Sequence, residues 1–369
     1  EQLRTLVDVN ALAGEVKISG QVGGTWPDTW VDGTLEANGI VFEESRVQGL
    51  DLSYRVDELQ SGPQLSARLE AHAARFGEVE IEAATAKTEY AINANDHHAS
   101  FSARLTQSSA IEANLAGEFS ADDQRSEITL EQLEARLQDD TWNNTTPVRV
   151  SFTRDDFLIE DFRLAHGDAF IESSGGMLDD QFQKLLFRAG NIDLDLLGDI
   201  ISTPTQVSGR GDLTANLEGS LEAPVLKADL IIRTQQQPNP LFEEASLNLS
   251  YAQQQLHGTA YLQQDARRVL GAKLELPVNL ALDGTPIDQR LLDTRLSASM
   301  DIDRPGLEAL STILPGLPPL AGTLQGRVEV AGSYSDLAID TRLDVEGSGI
   351  PNMKLLVMAN MDQEQISFE

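Results

Sequence analysis

Arg210-Gly211-Asp212 has the sequence of an integrin-binding tripeptide, so its chemistry would be adhesion. A repeated phrase in the chain aligns it with Glu15-Val16-Lys17 and with Thr323-Leu324-Gln325. In that alignment the tripeptide falls at the start of a strand and not at the tip of a loop. Its place in the repeat accounts for it, and we do not expect adhesion through it.

Asp301, Asp303 and Gly306 are spaced like the first positions of a calcium-binding loop. Pro305 replaces an oxygen ligand, however, and Thr312 stands where the loop needs a bidentate glutamate. We therefore predict no calcium site here.

His97-His98 follows Asp96, but no cysteine or third nearby histidine completes a metal site, so we predict a polar turn. The sequence also lacks the nucleophile elbow, the zinc-protease helix, the P-loop and the dinucleotide fingerprint. We predict no metal, no cofactor and no enzymatic activity.

Composition narrows the possible partners. The 369 residues include 59 acidic and 27 basic side chains, with a formal net charge of -32. This disfavours nucleic acid and adsorption to anionic headgroups, which both require clustered lysine and arginine. The chain has no cysteine, which excludes disulfides and thiolate metal sites.

A twelve-residue phrase occurs three times, as AGEVKISGQVGG from Ala13, SGRGDLTANLEG from Ser208 and AGTLQGRVEVAG from Ala321. Such repeats indicate an architecture in which each unit buries its apolar face against the next. We predict one continuous repeat-built segment over 1–369, with repeats at 13–35, 194–230 and 307–343. Because it begins with Glu1 and ends in a strand-like QISFE, we interpret it as the middle of a longer protein.

Apolar and polar residues alternate through nearly the whole chain, as over 273–283, which predicts about two dozen strands with one apolar face each. Only 192–201 and 305–314 have a helical pattern, so we predict an all-β fold with a few short helices. The apolar faces could form a closed, dry core or could line a groove that stays open. Only 5% of the residues are aromatic, whereas bulky aromatics often fill a closed sandwich core.

The order of helix, Pro-Gly turn and paired strands over 192–233 and 302–347 resembles the repeats of the TamB and wider AsmA-like family. A strand with Trp142 and Pro147, leading to paired strands that end in Gly175-Gly176, is similar too. The resemblance implies an elongated, curled open β-sheet, taco-like in section, with an apolar interior. It also implies a protein anchored in the inner membrane that spans the periplasm and carries phospholipids to the outer membrane. An outer-membrane barrel, TamA, is the implied protein partner, through a part of the protein outside this chain.

An open groove would have no unique binding residue, because any regular apolar position could line it. The candidates for the lining of a lipid groove are Val16, Ile18, Leu35, Leu213, Leu217, Leu274, Leu276, Val278, Leu280, Leu296, Met300, Val328, Val330, Leu343 and Val345. The alternative function is a surface or extracellular β-solenoid adhesin or scaffold, whose interior would be packed and dry. Bound phospholipid would distinguish the two functions.

Overall fold

A computed structural model provides the structure of the chain. It describes residues 12–42, 45–59, 62–76, 79–93, 96–108, 111–122, 124–194, 208–234, 242–282, 285–286, 289–306, 322–347, 350–362 and 365–368. Within these ranges no helix has the length and hydropathy needed to cross a membrane.

The chain divides into two compact units, 1–167 and 168–369, and each contains an antiparallel sheet. The strands of unit 1 are β1 (Leu12–Thr25), β2 (Asp28–Phe42), β3 (Ser45–Asp57), β4 (Gln64–Phe76), β5 (Val79–Asn93), β6 (Asp96–Ser108), β7 (Ile111–Ala121), β8 (Ser126–Leu137), β9 (Asp140–Asn144), β10 (Val148–Phe152) and β11 (Phe157–His166).

Unit 1 is a meander in which each strand from β1 to β8 pairs with the next one along the chain. Both β9 and β10 then pair with β8, so they act as one strand interrupted at 145–147. The side chain of Asn144 supports this break. Its Oδ1 accepts from the Leu133 N–H at 2.8 Å, and its Nδ2 donates to the carbonyl of Thr146 at 2.9 Å.

Unit 2 contains β12 (Ala169–Leu178), β13 (Gln181–Asp193), β14 (Gly209–Ser220), β15 (Pro224–Thr234), β16 (Glu244–Ala252), β17 (Gln255–Gln264), β18 (Arg267–Pro277), β19 (Leu296–Gly306), β20 (Gly322–Ser333), β21 (Asp336–Gly347), β22 (Ile350–Asp362) and β23 (Gln365–Phe368). These strands also pair in chain order, from β12 to β23. Since every neighbour pair is antiparallel, short turns are enough to connect most of them.

The three copies of the repeated phrase occupy equivalent places. Each copy forms the first strand of a hairpin, and its tail forms the second, giving β1–β2, β14–β15 and β20–β21. The repeat is therefore a hairpin, and other strands separate its copies.

The predicted all-β class with an open antiparallel sheet is confirmed, since 83% of the structure is strand and 1% is helix. Two local predictions need correction. Ile192 begins the first predicted helix but lies in β13, and Pro305 begins the second but lies in β19. Leu194 has helical geometry, whereas 195–201 and 307–314 lie outside the described residues. In addition, the strand predicted over 273–283 ends at Pro277.

Candidate functional site

Alternation along the strands gives each unit one apolar face and one polar face. In unit 2 the strand register aligns the apolar side chains into rows that run across the sheet. The Met300 row consists of Ala189, Leu213, Leu230, Leu247, Ala260, Ala272, Met300 and Val328. At about 4.8 Å between strands, these eight residues extend over roughly 34 Å.

Two further rows lie on the same face, one after the other to one side of the Met300 row. The Val330 row consists of Phe187, Ala215, Ala228, Leu249, Gly258, Leu274, Ala298, Val330 and Ile339. The Tyr251 row lies two residues farther along each strand and consists of Leu185, Leu217, Leu226, Tyr251, Leu256 and Leu276.

Unit 1 is built in the same way. Its Leu69 row consists of Ile18, Leu35, Leu52, Leu69, Ala86, Ala103, Leu115 and Leu133. The row contains no charged or hydroxyl side chain, so it continues as an apolar strip across eight strands.

The side chains of these rows are half-buried rather than buried. Leu35, Leu69, Leu247 and Met300 all have intermediate exposure, while the polar residues beside them on the strands are mostly exposed. At β1 the apolar face is most open, and Ile18 is 62% exposed. A packed sandwich core would remove most of this apolar area from water.

A groove of about 310 Å³ lies on the apolar face of unit 2, where the Met300 and Val330 rows adjoin. The side chains that line it are Leu247, Leu249, Ala260, Ala272, Leu274, Ala298, Met300, Val328 and Val330, and Gly258 leaves space between them. Thr259, Lys273 and Ser299 border the groove with their backbone only, because alternation directs their side chains to the other face.

The candidate lining residues from the sequence fall into three groups. The structure brings Leu274, Met300, Val328 and Val330 together in the groove of unit 2. A second group lies in strands away from that groove and consists of Val16, Ile18, Leu35, Leu213, Leu217, Leu276, Leu296, Leu343 and Val345. Val278 and Leu280 lie in the connection after β18 instead of in a strand, and Val278 is 7% exposed.

The polar faces carry ion pairs. In unit 1, Glu112 on β7 is 6% exposed and lies between two arginines of the neighbouring strands. Arg136 donates to its Oε2 at 2.7 Å, and Arg104 pairs with its other oxygen. A concavity of about 580 Å³ also lies on this face, lined in part by Glu89, Glu118 and Glu127. Within the described part of the chain, no cluster of histidine, aspartate and glutamate could hold a metal ion.

The motifs considered in the sequence have structural partners. Asp212 of the Arg-Gly-Asp tripeptide accepts from the Asn191 N–H at 2.8 Å and from Arg233 at 2.6 Å. Asp301 is paired with Arg327 at 2.5 Å across β19 and β20. The polar turn predicted at His97-His98 is wrong, because both residues lie in β6, where the ring nitrogen of His97 contacts the hydroxyl of Tyr90 on the neighbouring strand.

The profile of the TamB N-terminal domain family, described as "TamB, N-terminal domain", matches residues 3–339. The chain belongs to the TamB family. Comparison with curated proteins gave no match. The similarity of the repeats to the TamB family, inferred from the hairpin phrases, is thereby confirmed. At a coarse level, TamB membership supports a role in outer-membrane assembly.

In this TamB-family chain, most of the residues that line the groove were not predicted from the sequence. Leu247 and Leu249 lie in a clear alternation, ASLNLSYA, that predicts one apolar face. Ala260, Ala272 and Ala298 carry no such signal, because alanine is common on both faces of strands. Only the register with Leu247 and Met300 shows that these alanines belong to the apolar face.

Proposed function

We propose that this chain is part of a conduit for phospholipids, in which acyl chains lie on the apolar sheet faces while headgroups remain in water. The observation that carries the proposal is the half-burial of continuous apolar rows, including the groove around Met300. A monomeric soluble protein rarely exposes a large contiguous apolar surface unless that surface binds something.

The energetics favour an apolar wall without specific bonds. Exposure of acyl chains to water costs about 0.8 kcal/mol per methylene, so a lipid with about thirty chain carbons would face about 20 kcal/mol or more. Leucine, valine and alanine side chains remove much of this cost. Since they form no directional bond, neighbouring positions in a row bind a chain about equally, and a lipid can move along them.

The dimensions also fit. The hydrocarbon core of a bilayer is about 30 Å thick, so one acyl chain reaches about 15 Å. A row of eight strands, roughly 34 Å long, therefore offers more length than one acyl chain occupies. The net charge of -32 argues against attraction of anionic headgroups, so the apolar contact would supply the affinity.

The family suggests where this conduit works. We propose that the whole protein spans the periplasm from an anchor in the inner membrane, and that it supports outer-membrane assembly together with the barrel TamA. The contact with TamA would be made by a part of the protein other than the strands described above.

The test is site-specific photo-crosslinking in the whole protein in cells. A photoreactive amino acid at Met300 would lie in the groove, and one at Ser299 would lie on the opposite face of the same strand. Ser299 pairs with Lys273 and Glu329, which are both exposed. We expect phospholipid adducts at Met300 and none at Ser299.

Equal labelling, or no labelling, at both positions would contradict the conduit. Native mass spectrometry of the purified protein provides a second measurement. A well-folded protein without bound phospholipid, and without adducts at Met300, would favour the alternative function of a scaffold with a dry interior.

A further inference from the structure

The connection between β18 and β19 contacts turns at the ends of the strands of unit 2. We call the described residues of this connection, 278–282, 285–286 and 289–295, the strap. At one end, the Leu282 N–H donates to the Leu221 carbonyl in the β14–β15 turn at 2.7 Å. At the other end, Asp293 accepts from the N–H of Ser335 at 3.2 Å in the β20–β21 turn. The strap thus connects the turns of two repeat hairpins.

Two residues before Leu282, the strap contacts the apolar face at Tyr251. Tyr251 lies on that face, because it follows Leu249 by two residues on β16. The Leu280 N–H donates to the Tyr251 hydroxyl oxygen at 2.9 Å. Tyr251 is consequently only 3% exposed, and Ala281 of the strap is 2% exposed.

The strap has its own internal structure. Arg290 donates to the carbonyls of Thr285, Asn279 and Ala281 at 3.0, 3.2 and 2.8 Å. The Asn279 N–H donates back to the Arg290 carbonyl at 2.8 Å, and Val278 forms a bridge with Leu291. Hydrogen bonds from Ser335 also lower the pKa of Asp293, which keeps that carboxylate charged. These contacts hold the strap in place without a ligand.

The apolar face of unit 2 therefore has a covered part and an open part. The strap covers the Tyr251 row at Tyr251, whereas the groove lies over the Met300 and Val330 rows. A lipid that displaced the strap would leave the Tyr251 hydroxyl and the Leu280 N–H without partners, because an acyl chain offers no hydrogen bond.

We propose that the strap is a side wall of the lipid path, which confines acyl chains to the Met300 and Val330 rows and excludes them from the strap side of the Tyr251 row. This inference rests on the proposed conduit. It assigns Tyr251, Leu280 and Arg290 as positioning residues, which act on the lipid through the strap and do not bind it.

One strand supplies a matched pair of positions for the test. On β15, Leu226 pairs with Tyr251 beneath the strap, and Leu230 pairs with Leu247 in the open part. Both are half-buried leucines on the same face. A diazirine amino acid of about the size of leucine is placed at each position in the whole protein, and lipid adducts are measured in cells. We expect lipid adducts at Leu230 and none at Leu226.

A second variant loosens the strap. Tyr251→Phe with Arg290→Ala removes the hydrogen bond between the strap and Tyr251 and the Arg290 hydrogen bonds within the strap, so we expect adducts to appear at Leu226. Equal adducts at both positions in the wild-type background would overturn the side wall but leave the conduit standing. No adducts at Leu230 would contradict the conduit itself. If Leu226 remains unlabelled in a loosened protein that still folds, the strap is not the cause of the exclusion, and the inference is wrong.

Discussion

Asp212 receives hydrogen bonds from two neighbouring strands on the polar face of unit 2. The Asn191 N–H on β13 and the Arg233 guanidinium on β15 both donate to it. The pKa of Asp212 lies below its ordinary value, mainly because of the hydrogen bond from Asn191 and to a smaller extent because of the contact with Arg233. The register of β13 against β14 shifts between Ala189 and Ile192. At this irregularity the Asp212 carboxylate accepts the hydrogen bond of the Asn191 N–H in place of a backbone carbonyl.

The lowered pKa of Asp212 predicts a pH-dependent stability. A carboxyl whose folded pKa lies below its unfolded value stabilises the fold above the unfolded value, about 3.9, and loses that contribution as the pH falls through the folded value. We expect Asp212→Asn to cost about 1 kcal/mol at pH 7, a modest figure because solvent screens this half-exposed pair. The difference from wild type should shrink below pH 4, as measured by urea unfolding.

Thr214→Ala is the matched control for Asp212→Asn. Thr214 is exposed, lies two residues farther along β14 on the same face and does not titrate. Its difference from wild type should not change with pH. If the cost of Asp212→Asn stays constant down to pH 3, the ionised carboxylate is not what holds Asn191.

At the scale of the hairpin, the repeated phrase ends in a glycine for a backbone reason. Gly24, Gly219 and Gly332 all have positive φ, of 99°, 86° and 135°. In each hairpin, a Cβ at this position would collide with the carbonyl oxygen four residues later, in Asp28, Ala223 or Asp336. The three copies thus use the same exit from the first strand into the turn.

We expect Gly332→Ala to destabilise unit 2 by about 1–3 kcal/mol, because alanine meets both an unfavourable φ and the Asp336 carbonyl. Gly271→Ala on β18 is the control, since its Cβ would meet only the Arg268 side chain at 3.5 Å. The control should change the free energy of unfolding by less than about 0.5 kcal/mol. If chemical denaturation gives the same small loss of unfolding free energy for Gly332→Ala and Gly271→Ala, the first residue of the turn tolerates a side chain.

The strands themselves were predictable because their alternation is long and regular. In β19 the polar residues Ser297, Ser299 and Asp301 alternate with apolar ones, so only one face of the strand can pack in an apolar environment. The end of β18 was not predictable, since Leu280 and Leu282 continue the alternation beyond Pro277. What diverts the chain there is tertiary: the Leu280 and Leu282 N–H groups bind Tyr251 and Leu221, which are distant in sequence.

The type of residue in the candidate site could be predicted from the sequence, but the position of the groove on the sheet could not. Apolar strand positions identify a face, whereas the groove around Met300 depends on small residues, Gly258 and Ala298, opposite larger ones. Val278 illustrates the difference. It fits the apolar pattern, yet it is buried against Leu291 within the strap, so a charge at Val278 would test the strap's folding rather than the groove.

At the scale of the whole molecule, both units have the same kind of apolar surface. The Leu69 row of unit 1 and the Met300 row of unit 2 each cross eight strands without a charged side chain. The proposed conduit requires a lipid to pass along both units in turn. Each lipid would then need both surfaces, and the two would not act as independent binding sites.

Steps in series predict a specific form of non-additivity. A carboxylate placed in an apolar row would have to be desolvated by each passing acyl chain, which costs several kcal/mol. We expect Ala103→Asp in unit 1 and Ala298→Asp in unit 2 each to abolish phospholipid delivery to the outer membrane by the whole protein. The double variant should be no worse than either single variant. Ser102→Asp and Ser299→Asp are the controls on the polar faces of the same strands, and they should transport normally at equal expression and folding.

Independent sites would give another result. If each unit held its own lipid and released it separately, each single variant would retain part of the transport, and the double variant would lose the product of the two effects. Partial, multiplicative losses would therefore refute the requirement for both surfaces while leaving lipid binding in place. Complete loss from either substitution alone is expected only when every lipid must use the apolar surfaces of both units.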